Sequence, residues 1–199
     1  MALYENARRA AQAAFVSEWS LMERLAREGQ SPSVLFIGCS DSRVMPSRVL
    51  GARPGDVFVM RNVANVVPPA DAGESAVGAV IEYAVVHLKV PHIVVCGHLD
   101  CGGVHALDAS LDPHREPHIT RWLAYIRPAL QEIPPDLTGE ARHRAVVEAN
   151  VRLQLRHLRT YPCVAQALRE GRLTLHGWVY DLGTGSLWRC DEETGHFVE

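Results

Sequence analysis

Apolar positions along the chain follow two rhythms. From residue 3 to 28, Phe15, Trp19, Met22 and Leu25 recur at steps of three and four in a stretch rich in Ala, Leu, Glu and Arg. That spacing predicts one long helix, stopped at Gly29, whose apolar stripe needs a partner surface. Short apolar runs follow. Ser33 to Gly38 and His92 to Cys96 read as buried strands, and Asp56 to Arg61 reads as a third, introduced by the Pro54-Gly55 turn. Between them, residues 73–88 carry Val77, Val80, Ile81, Ala84 and Leu88 on one helical face. Helical patterns are predicted again at 119–131 and 139–158, separated by Pro134-Pro135, with a loop at 110–118. Residues 172–180 read as a strand, 183–185 as a turn and 186–190 as a closing edge strand. Strands alternating with helices predict an α/β fold, with a mainly parallel central sheet flanked by helices and residues 1–29 as an N-terminal helical arm.

Length and composition narrow this picture. The chain has 199 residues, 47% hydrophobic and 22% charged, with a formal net charge of −3. The length suits a single domain spanning 1–199 with a substantial core, and the balance argues against disorder. No basic stripe with interleaved aromatics is present, so nucleic acid is not an expected partner. No apolar run reaches membrane-spanning length, and the first fifteen residues contain Glu5, Arg8 and Arg9 instead of a continuous apolar segment. The expectation is a cytoplasmic protein without a membrane partner. Five cysteines, sparsely spaced and odd in number, fit reduced thiols or metal ligands better than a disulfide framework.

Two predicted strand ends are chemically loaded: Cys39-Ser40-Asp41-Ser42-Arg43, and Gly97-His98-Leu99-Asp100-Cys101-Gly102-Gly103. In open α/β sheets, ligands gather outside the carboxyl ends of strands, so the two clusters can converge across some sixty residues. Cys39, His98 and Cys101 offer two thiolates and an imidazole. Zinc accepts such a set and keeps a fourth position open when only three protein ligands are present. Two thiolates cancel the charge of Zn²⁺ and weaken its Lewis acidity, so an auxiliary group is needed near the metal. Asp41 and Arg43 suit that role, since residues 39, 41 and 43 share parity in an extended segment and a guanidinium holds a carboxylate ionised. Taken singly, each element is bland: Cys39 reads as a small core residue, and Asp41 with Arg43 as a surface ion pair. The combination is what carries information.

Together these motifs resemble the paired signatures of the β-class carbonic anhydrases. Arg61-Asn62-Val63-Ala64-Asn65, Ile81-Glu82-Tyr83-Ala84 and His176-Gly177-Trp178-Val179-Tyr180-Asp181 match that family too, so the resemblance covers roughly residues 28–190. It implies one Zn²⁺ per subunit on Cys39, His98 and Cys101, an Asp41–Arg43 dyad, and reversible hydration of CO₂ to bicarbonate and a proton. It also implies a substrate pocket of Gln30, Phe58, Val63, Tyr83 and the Gly102 amide, built across the interface of a homodimer or higher homo-oligomer. Of the family's two site variants, the one in which aspartate closes onto zinc uses a tryptophan three residues before the first cysteine; here that position is Phe36, although Arg61 and Tyr180 are present. The open variant is therefore expected. Alternatives on the same scaffold are a CS₂ or COS hydrolase and a non-catalytic zinc-binding member. His87, His92 and His105 lie near motif segments, but none is assigned as a proton shuttle. His114 and His118 read as loop residues, Asp100 as a surface or helix-capping residue, and Cys96, Cys163 and Cys190 as structural thiols.

Overall fold

The computed structural model describes residues 1–199. Its centre is a six-stranded sheet of β1 (Val34–Cys39), β2 (Val57–Asn62), β3 (His92–His98), β4 (Thr174–Tyr180), β5 (Leu187–Cys190) and β6 (Phe197–Val198), in the order β2-β1-β3-β4-β5-β6. The first four strands run parallel, and β5 and β6 add antiparallel at one edge. Each parallel neighbour needs a crossover, so α4 (Ser75–Glu82), α7 (Gly139–Leu158) and α8 (Pro162–Arg169) separate the strands in sequence. The register sets Gly38 beside Cys96 on β1 and β3, and Cys39 beside Asn62 on β1 and β2, which brings the tips of β1 and β3 to one end of the sheet.

The two sheet faces are unequal. A core of 32 buried residues, including Leu35, Ile37, Ile93 and Val95, fills the side covered by α4, α7 and α8. Only Val34, Phe36, Val94 and Cys96 form a buried cluster on the other side. Burial pushes the Cys96 thiol up to about 12, in keeping with a structural role. Where α7 crosses β3, Gly97 leaves the room: a Cβ there would lie 2.9 Å from Val151 and 3.1 Å from Val147.

Several elements depart from the sequence reading. The N-terminal arm is two helices, α1 (Ala2–Ser17) and α2 (Trp19–Glu28). Ser17 Oγ donates to the Ala14 carbonyl, and the Glu18 N–H turns to Phe15 instead, which breaks the ladder without Gly or Pro. None of α1 is buried, and α2 buries Leu21 alone. The helix predicted over 73–88 begins at Ser75 and widens into a π-helical turn at Tyr83–His87, where the Leu88 N–H reaches the Tyr83 carbonyl. The helix predicted over 119–131 stops as α6 (Pro117–Leu123) and resumes as a 3₁₀ segment at Arg127–Glu132, because Pro128 has no N–H to continue it. Two short helices, α3 (Pro46–Leu50) and α5 (Gly102–His105), follow the loaded strand ends; with α8, they lay outside the sequence reading. No helix is long and apolar enough to cross a membrane.

Candidate metal centre

Cys39 is the last residue of β1 and His98 the last of β3. Cys101 stands just ahead of α5. By strand alternation Cys39 continues the face of Leu35 and Ile37, whereas His98 continues that of Val94 and Cys96. They meet because both lie where the sheet ends. Their ligating atoms and that of Cys101 all lie within 4.8 Å of one another, and all three residues are buried. The two sulfurs are 3.9 Å apart, close to the spacing of about 3.8 Å that tetrahedral zinc–sulfur bonds impose. His98 Nδ1 hydrogen-bonds the Leu99 carbonyl at 2.9 Å, while its buried Nε2 has no partner. An orphaned buried nitrogen facing two thiols fits a divalent cation. The Cys101 thiol beside it holds Cys39 well below its ordinary pKa, and Cys39, with burial, pushes Cys101 up. A divalent cation would take both sulfurs as thiolates, releasing their protons.

Beyond Cys39 the strand stops, so the shared parity of 39, 41 and 43 is not what orients the dyad. The chain turns, with the Val44 N–H donating to the Asp41 carbonyl. Arg43 folds back within this turn. Its backbone N–H and Nε both donate to Asp41 Oδ1 at 2.9 Å, and Nη2 donates to Oδ2 at 2.8 Å. This bidentate grip holds the Asp41 carboxyl well below the usual carboxylate range. Asp41 Oδ2 lies 3.9 Å from His98 Nε2, at the margin of the ligand cluster. Arg61 secures the turn from below, donating through Nε to the Cys39 carbonyl at 2.8 Å and through Nη2 to the Asp41 carbonyl at 2.5 Å.

The remaining predicted site residues are only partly gathered. Phe58 and Tyr83 are neighbours, with ring centroids 5.7 Å apart. Val63 packs beside Gly103, where a Cβ would meet Val63 and Ala64 at 2.9 Å. Gly102 opens α5 on an exposed surface, and Gln30 stands exposed ahead of β1, its side chain without a hydrogen bond. Val63 and Tyr83 remain 38% and 47% exposed within the single chain.

Other contributors lay outside the sequence reading. Ala64 and Asn65 adopt left-handed conformations, with φ of 59° and 50°. From α7, Asn150 Nδ2 donates to the Ala64 carbonyl, Gln154 Nε2 donates to Asn150, and the Val67 N–H donates to Gln154 Oε1. A pair of amides four residues apart on the buried face of a helix was the available signal. His143, also on α7, accepts the Cys101 N–H at Nε2 over 3.2 Å and stacks on His105 with centroids 3.9 Å apart. Nothing in its sequence context marks it. Asp100 caps no helix; its carboxylate reaches Arg43.

Comparison with known proteins agrees with this geometry. A sequence model of the family described as carbonic anhydrase matches residues 34–187. The chain is 42% identical to the carbonic anhydrase of Pseudomonas aeruginosa over 93% of its own length and 84% of that protein's, and 42% identical to carbonic anhydrase 1 of Escherichia coli O157:H7 over 93% and 85%. Among solved structures, the β-carbonic anhydrase CcaA superposes with a TM-score of 0.91 at 36% identity, covering 98% of this chain and 97% of that one. A tetrameric β-carbonic anhydrase of Sordaria macrospora gives 0.79 at 34% identity, covering 100% and 97%. With the paired strand-tip motifs, the converging donors and these likenesses in agreement, the chain belongs to the β class of the carbonic anhydrase family.

Proposed function

We propose that this chain catalyses the reversible hydration of CO₂ to bicarbonate and a proton, with one Zn²⁺ per subunit on Cys39, His98 and Cys101. The observation that carries the reading is the meeting of three buried donors with an ionised carboxylate, Asp41, that Arg43 holds beside them. When bound, zinc supplies the Lewis acidity that makes hydroxide available near neutral pH. Asp41, gripped through both oxygens, accepts a hydrogen bond from the attacking oxygen and sets its direction. Arg43 keeps that carboxylate charged and drawn toward itself, which favours the open form of the site. Phe36 is fully buried and has no donor to offer an anion, and Arg61 commits its Nε and Nη2 to the Cys39 and Asp41 carbonyls. Phe58, Val63 and Tyr83 supply apolar wall for an uncharged substrate, and the Gly102 N–H and Gln30 supply donors. A second copy of the chain completes this wall. The exposure of Val63 and Tyr83 and the tetramer of the Sordaria relative support that reading. The five free cysteines suit a reducing cytoplasm.

Metal analysis combined with stopped-flow CO₂ hydration tests the proposal. One zinc per chain and turnover abolished by chelation are expected. Parallel assays with CS₂ and COS decide between gases, and faster turnover of either would move the assignment. Zinc without any turnover would mark a non-catalytic binding protein. A crystal at pH 7.5 with Asp41 bonded directly to zinc would refute the open form.

A further inference from the structure

We propose that Asp100 is a positioning residue that clamps the Nη1/Nη2 end of the Arg43 guanidinium, next to the edge held by Asp41, making the dyad a bridge of three residues. The inference rests on the reading of Asp41 and Arg43 as the working pair. Arg43 Nη1 donates to Asp100 Oδ2 at 2.8 Å, and Nη2, already bound to Asp41, donates to the Asp100 carbonyl at 3.1 Å. Half of the Arg43 side chain faces solvent. A guanidinium gripped from one side at a surface gains little from its ion pair and swings readily. Two carboxylates and a carbonyl on two edges of a planar fork fix its plane instead.

The clamp is itself anchored. Asp100 adopts a left-handed φ of 56°, directly ahead of Cys101. That conformation is strained in most residues and is tolerated by Asp and Asn. It turns the carboxylate toward Arg43 while the next residue enters the ligand cluster. His105 Nε2 meets the other carboxylate oxygen at 3.3 Å. His105 stacks on His143, and His143 accepts the Cys101 N–H. A closed circuit thus ties the turn after β1 to the loop after β3 through Asp41, Arg43, Asp100, His105, His143 and Cys101. Its histidines line one side of a cavity of about 870 Å³ that also reaches Asp108 and Arg142. The H-x-x-C spacing fixes only the ligands; the residue between them is where this chain adds its clamp.

Asp100→Asn isolates the effect, because Asn keeps the size and the left-handed backbone and removes the charge. The holoenzyme variant is expected to keep its metal while kcat and kcat/KM fall together by about tenfold, as when a group is misplaced in the transition state. A second readout needs no turnover. In nitrogen-15 spectra of the arginine side chains, with Arg43 assigned through Arg43→Lys, the slowed Nη rotation of a clamped guanidinium should become fast in Asp100→Asn. Asp108→Asn removes the same charge at the cavity rim without touching Arg43 and is expected to change neither readout. A rate within twofold of the parent, an unaltered Arg43 signal, or an equal loss in Asp108→Asn each overturns the proposal. If the parent itself fails to hydrate CO₂, the functional reading falls, and the Arg43 signal alone decides whether Asp100 holds the guanidinium.

Discussion

The tips of β1 and β3 lie side by side and are held by opposite means. The β3 tip is held by packing. His98 and Cys101 are each about 1% exposed, Gly97 beneath them admits Val147 and Val151 of α7, and Gly103 beyond them admits Val63 and Ala64. The β1 tip, past buried Cys39, is held by charge-assisted hydrogen bonds at the edge of solvent: Arg43 to Asp41 and Asp100, and Arg61 to two carbonyls. Packing fixes donors that must not move, at the cost of tolerating no change in volume. Ionic hydrogen bonds fix direction while leaving a group open to substrate and water. The difference teaches that metal retention and turnover are separable properties, the first lodged in the buried donors and the second in the ion pairs at the solvent edge.

Substitutions can break or sharpen that separation. His98→Ala should lose metal and activity together, by about 10³-fold or more, because it removes one of the three proposed protein ligands. Metal retained at parental level would break the comparison at once. Asp41→Asn should keep full metal content and lose turnover by about 10²-fold, the order contributed by a positioned proton acceptor. Stopped-flow kinetics beside metal analysis separates the two outcomes. Gly97→Ala tests the packed tip without touching chemistry. The new methyl would press on Val151 and Val147, destabilising by about 1–3 kcal/mol in a urea titration. A neutral result would show α7 to be less tightly seated than the contacts indicate.

Mild acid should act on the buried side first, and this is the smallest effect. Burial pulls the pKa of His157 down, against the hydrogen bond of its Nδ1 to the Val67 carbonyl. The unfolded chain takes up a proton as pH falls below the ordinary histidine value while the native state resists, so stability declines through that window. The slope per histidine stays below about 1.4 kcal/mol per pH unit. Asp41, held well below the usual carboxylate range by Arg43, keeps its charge from pH 7 to 5. Its contribution is lost only in stronger acid. Urea midpoints at pH 7 and pH 5 should differ in the parent and differ less in His157→Asn, whose amide keeps the donor without titrating.

How far the sequence spoke depends on the range of the interaction. Helix α7 was legible end to end, since its apolar period and the prolines before it are local. Five of the six strands were legible as apolar runs, although β3 extends two residues further, to His98, because its pairing with β4 continues to Tyr180, and the edge expected of residues 186–190 is taken instead by β6, a two-residue strand too short to show a pattern. The break after Ser17 was not legible, because it depends on one hydroxyl choosing a carbonyl. The break at Pro128 was legible in principle, since proline chemistry alone dictates it.

The ligand types, their place at strand ends and the family they resemble were written in the residues themselves, because donor chemistry and alternation are properties of short segments. Tertiary structure decided the rest: that Cys39 and His98, on opposite faces by alternation, meet past the rim of the sheet; that Asp100 answers Arg43 across 57 positions; and that His143 reaches the Cys101 N–H from another helix. Those contacts arise from parallel register and helix docking, which no local pattern encodes, because the partners become neighbours only after the chain has crossed over the sheet.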